Sequence, residues 1–161
     1  MKVKLTWIEL TIAAVVGIAR RITSIQGRWN KFKHCEKSDW ATDIDGAAAE
    51  MAVAKALGLY WDCSNRSFKR ADLAGALLHV RSTNHPDGHL IVRKNDENGL
   101  YVLVITDSPH YRIVGWISLD EAKEDRFWQG DSWWVPQGEL NSISCLQKRD
   151  RSVYTRNTNR R

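Results

Sequence analysis

The chain has 161 residues, of which 43% are hydrophobic and 27% charged, and a net charge of +5. That length and apolar content imply one globular domain with room for a core, and exclude a disordered or low-complexity chain. Charge is unevenly placed: residues 1–37 carry eight Lys/Arg against two Glu, 38–146 carry ten against sixteen Asp/Glu, and 147–161 carry six against Asp150. Basic ends of this kind can neutralise phosphates, and carboxylates gathered between them can hold hard cations. The eight Trp supply core or interface area first, and stacking surface for bases second. Cys35, Cys63 and Cys145 are odd in number and form no CxxC pair. They read as free thiols of a reducing cytoplasm and not as a zinc knuckle.

In chain order, Thr6-Trp7-Ile8-Glu9 is a capping box that opens a helix running to about Ile22 or Ser24. Its apolar run from Ile8 to Ile18 is interrupted by Glu9 and closed by Arg20-Arg21, too short to cross a bilayer and without a signal-peptide cleavage site. No membrane partner is expected. Residues 26–41 read as a loop. A second helix starts at Asp43 or Asp45 and ends at Gly58. Its Glu50 shares a face with Ala47, Val53, Ala54 and Leu57. A carboxylate buried there needs a cation, a metal or a proton. Leu59-Tyr60-Trp61 reads as a short strand and 63–70 as a basic loop.

Sheet follows. Leu77–Thr83, His89–Lys94, Leu100–Thr106 and Tyr111–Ile117 are apolar or alternating runs, separated by the turn-forming stretches 84–88, 95–99 and 107–110. They predict consecutive antiparallel strands. Ser118-Leu119-Asp120-Glu121 is a second capping box, opening a short helix to about Asp125. Trp133-Trp134-Val135, stopped by Pro136, reads as an edge segment. The domain is expected to cover 1–146, with 147–161 a basic, disordered tail.

The candidate chemistry lies between the second helix and the first long strand. Asp72 precedes Leu73-Ala74-Gly75, where the chain can turn, and alternation places His79 and Arg81 of the strand on one face. Glu50 and Asp72 can offer oxygens to a metal that polarises a phosphodiester, and Arg81 a cation to the developing charge. The plainer alternative is an Asp72–Arg81 salt bridge beside a packed His79. Asp96 reads first as a turn residue, and Asp43 and Asp45 as helix caps. His79, His85 and His89 have no zinc-ligand spacing. No Gly-rich phosphate loop or nucleophile elbow is present in the sequence.

This order of a helix glutamate, an aspartate and a basic strand of the form Val80-Arg81-Ser82 resembles the PD-(D/E)XK nuclease superfamily, its small phage-borne members in particular, over residues 43–117. The resemblance implies a restriction-endonuclease-like α/β (α+β) fold: a central mixed sheet with a largely antiparallel meander, flanked by helices. It implies Mg²⁺- or Mn²⁺-dependent cleavage of DNA in the cytoplasm, that of the host if the protein is phage-encoded. Glu50 then takes the helix carboxylate position, Asp72 the metal-bridging aspartate, His79 the second acidic position and Arg81 the lysine position. Glu50, Asp72 and His79 become the metal ligands and Lys94 a relocated lysine. His79 suits softer ions than Mg²⁺, and Arg81 stays protonated where the family uses Lys. These departures keep open a catalytically inactive relative that binds nucleic acid or a host protein. A third reading is a phage assembly or scaffold protein whose Trp residues form an oligomer interface, a homodimer in its simplest form.

Overall fold

The computed structural model describes residues 1–27, 39–64, 71–73 and 77–146. Cys35, most of the two expected loops and the whole expected tail lie outside the described residues. The capping box at Thr6 forms as the sequence predicts: Glu9 N donates to Thr6 Oγ1 at 3.2 Å and Thr6 N to Glu9 Oε2 at 2.6 Å. Helix α1 then runs Trp7–Gln26, preceded by a short strand β1 (Lys2–Lys4) that the sequence did not signal. Helix α2 spans Asp39–Leu57. It closes at Gly58, whose φ of 69° lets Leu59 N reach back to Ala54 O at 2.9 Å.

The expected start of α2 is corrected. Asp43 and Asp45 lie inside the helix, which begins four residues before Asp43. Asp39 and Asp43, one turn apart, both bind Arg21 of α1 at 2.7 and 2.6 Å, so the extra turn is held by tertiary ion pairs. No strand forms at Leu59–Trp61.

The fold is mixed α/β. Strands β2 (Leu78–Thr83), β4 (Leu100–Asp107) and β5 (His110–Ser118) join β1 in one sheet of order β1-β5-β4-β2. β3 (Leu90–Arg93) and β6 (Ser132–Val135) form a separate two-stranded sheet. β4 and β5 make the antiparallel hairpin expected from the turn between them. The rest of the expected meander is corrected: β2 pairs with β4 in parallel, and β3 pairs with β6 instead of with its sequence neighbours. The turn clusters on either side of β3 mark reversals of the chain, but a reversal does not specify which strand is hydrogen-bonded next. Helix α3 (Leu119–Ala122) opens with the expected Ser118 capping box and ends short of Asp125.

Pleat alternation divides the core. Leu78, Val102 and Val104 face α1 and α2, together with Ala47, Val53 and Leu73. Tyr101, Leu103 and Ile105 face the small sheet, with Leu90, Val92 and Val135. A bulge in β5 opposite Leu103/Val104 shifts the alternation, so Ile113 and Trp116 both point toward the helices.

The two helices approach closely at Gly17. A Cβ there would lie 2.5 Å from Ile44 Cα and 2.8 Å from Asp43 O. These are backbone atoms and cannot swing aside, so Gly17→Ala must push the helices apart. Overpacking of this kind costs about 1–3 kcal/mol, a loss that urea unfolding followed by circular dichroism will register.

Candidate functional site

Alanines at 47–49, 52 and 54 make the middle of α2 narrow and fully packed, and Glu50 is set among them at 5% exposure. Its partner is a cation from the same chain. Arg20 Nη1 donates to Glu50 Oε1 at 2.6 Å and Nη2 to Oε2 at 2.7 Å, the two-pronged geometry that a guanidinium and a carboxylate favour. Trp61 Nε1 adds a third donor to Oε2 at 3.0 Å. Arg20 is itself anchored by Nε and Nη2 donating to Ser64 O at 3.0 and 2.9 Å. Cys63, with φ 54°, sits one residue before that carbonyl.

Asp72 lies at the free edge of β2, where its Oδ2 accepts Val80 N at 2.7 Å. Leu73 bridges to Leu78 beside it. Glu50 and Asp72 are near enough for the Asp72 charge to act on Glu50. Burial pushes the Glu50 carboxyl above its ordinary value; the Arg20 hydrogen bond opposes this and the Asp72 charge adds to it. Burial also pushes Asp72 up, against the Val80 N–H and the charges of Arg81 and Arg20. Burial alone would lower Arg20, but its bonds and attraction to Glu50 outweigh that and hold it above its ordinary value. The clamp therefore keeps a charged guanidinium, and the two crowded carboxylates share the electrostatic cost.

His79 and Arg81 lie on the other face of the sheet from the α2 layer. The His79 ring stacks on Tyr101 with centroids 4.7 Å apart and planes 13° apart. Burial, helped by the Arg81 charge, pulls its pKa down. Arg81 lies over the same Tyr101 ring at 5.1 Å and pairs with Asp96 at 2.8 Å. Asp96 also accepts Arg93 N at 3.0 Å, so it serves the turn and the ion pair together. Lys94 has its Nζ 4.9 Å from the Trp128 ring and borders a cavity of about 260 Å³ lined also by Arg93, Asn95, Asp96, Asp131 and Ser132.

The structure thus sets Glu50 and Arg81 within electrostatic reach of Asp72, and turns His79 and Lys94 to the aromatic rings of Tyr101 and Trp128. Among the described residues no three His, Cys, Asp or Glu side chains gather as a metal-holding group. Both Glu50 oxygens are engaged by Arg20, and Asp72 Oδ2 by a backbone N–H. Mg²⁺ requires free oxygen donors at about 2.1 Å, so this donor set, as arranged, does not fit the ion. Arg20, Trp61 and Ser64 were missed as site residues from sequence. Arg20-Arg21 marks the end of an apolar run as well as it marks an inward-facing cation, and only the crossing of α1 on α2 distinguishes the two. Comparison with known proteins found no matching family model, curated protein or solved structure.

Removing one member of a buried pair strands the other charge. Arg20→Ala is expected to cost about 3–5 kcal/mol, and adding Glu50→Leu should recover a large part of it; denaturant titration of the single and double variants measures both. The raised carboxyls have a pH consequence. Where a folded-state pKa exceeds its unfolded value, the folded state binds more protons, so stability falls as pH rises from about 4 toward the raised value. Asp72→Asn keeps an acceptor for Val80 N and removes one charge, and should make that fall shallower in melting curves recorded from pH 4 to pH 8.

Proposed function

We propose that this chain is a nucleic-acid-binding protein on a nuclease-like core that does not hydrolyse its ligand. The observation that carries the reading is the Arg20 clamp on Glu50: the carboxylate that would anchor a metal in a PD-(D/E)XK-type site is neutralised from within. The turn of His79 onto Tyr101, away from the carboxylate pair, supports it further. Attraction to a polyanion rests on the basic ends, residues 1–37 and 147–161, which flank an acidic middle, less Arg20 and Arg21, whose charges are held by internal ion pairs. Each phosphate that the protein neutralises makes affinity depend more steeply on salt. A second reading, a Mg²⁺- or Mn²⁺-dependent nuclease, is favoured by one observation, that Asp72 lies within electrostatic reach of Glu50.

Two assays separate these readings. Anisotropy of a labelled DNA should report binding that weakens with salt, and truncation after Leu146 should flatten the log–log salt slope by about 0.9 for each phosphate that the shortened chain leaves unneutralised. Plasmid incubated with Mg²⁺ or Mn²⁺ should remain supercoiled. Metal-dependent nicking that disappears in Glu50→Ala and Asp72→Ala would establish the nuclease instead, and no affinity for DNA at low salt would remove both.

A further inference from the structure

Helix α1 is inside out. Its three charged side chains all turn inward or across to a neighbour: Glu9 to Lys55, Arg20 to Glu50, and Arg21 to Asp39 and Asp43. The face left to solvent carries no charge and holds large apolar residues along its whole length. Trp7 is 76% exposed, Ile8 74% and Val15 61%, and the stripe continues through Ile12, Ile18, Ile22 and Ile25. No described element covers it. Monomeric proteins rarely expose apolar patches beyond about 300–600 Å², and this stripe offers on the order of 700 Å², close to the ~800 Å² that each partner contributes to a standard interface.

We propose that this face of α1 pairs with the same face of a second copy of the chain, making a homodimer. The spacing argues for a helix as the occupant. Ile8, Thr11, Val15, Ile18, Ile22 and Ile25 follow one another at alternating intervals of three and four. This 3.5-residue repeat keeps one seam turned toward a partner helix over about two and a half heptads, with β-branched residues Ile8, Val15 and Ile22 at each first position. The absence of charge argues for self-pairing. A two-fold axis places a patch against itself, and here no like charges meet when it does. A lipid surface is the less suitable occupant, because helices that lie on membranes border their apolar face with free Lys and Arg. On α1 the only two basic side chains, Arg20 and Arg21, are bound internally. The pairing does not depend on any nucleic-acid role.

Sedimentation equilibrium of the full chain at tens of micromolar tests this. The expected result is twice the chain mass of 18.5 kDa. Val15→Glu with Ile22→Glu should give a monomer whose helical circular dichroism is unchanged, since both residues are exposed. The milder pair Val15→Ala and Ile22→Ala preserves helix propensity and should weaken association at least tenfold. A wild-type monomer overturns the proposal, as does a dimer that survives both pairs of changes. A wild-type monomer that cosediments with phosphatidylserine vesicles overturns it in favour of a lipid surface.

Discussion

The clamp between Arg20 and Glu50 organises this molecule. A carboxylate set into the alanine face of α2 carries a desolvation penalty of several kcal/mol unless it is paired and hydrogen-bonded. The pairing takes a single register of α1 on α2, in which Arg20 reaches Glu50 while Arg21, the next residue, reaches Asp39 and Asp43. Gly17 allows the approach by leaving room for the backbone at Ile44. Once α1 has turned its charges inward, its isoleucines have nowhere to go but outward. The buried pair and the exposed apolar stripe are two faces of one constraint.

β2 divides the site. Its even-numbered residues pack toward the helices, and its odd-numbered residues carry His79 and Arg81 to the aromatic side. Asp72 stands at the strand's free edge, bonded to the backbone between them. One carboxylate therefore feels charges from both layers, Arg20 on one side and Arg81 on the other. Neither arginine is idle, because Arg20 holds Glu50 and Ser64 while Arg81 holds Asp96 and covers Tyr101. The cluster is a chain of linked charges in which burial still weighs on both carboxylates.

The tryptophans serve several ends. Trp61 donates to Glu50 and is buried, and Trp116 fills the space between β5 and the C-terminal segment that bridges to Asn141. Trp128 and Trp133 pack edge to face beneath Lys94 and Lys123. Trp7, Trp40 and Trp134 remain exposed. Both parts of the expectation that Trp supplies core or interface area are represented in this set, because an indole that has an apolar body and one N–H is equally at home at a boundary.

Local rules were readable in the chain. Thr6 and Ser118 each precede a glutamate by three residues, and both capping boxes form. Gly58 ends α2, the apolar runs become strands, and the apolar neighbours of Glu50 require the burial that it shows. Each of these depends on interactions within one turn or one strand, where sequence spacing translates directly into geometry. Partner choice did not follow from spacing. The pairing of β2 with β4 in parallel, the departure of β3 to β6, the extension of α2 back to Asp39, and the pairing of Glu50 with Arg20 all join residues far apart in the chain. Such pairings are decided by which apolar faces cover one another, and an arginine that ends a hydrophobic run reads the same in sequence whether it faces water or a buried carboxylate.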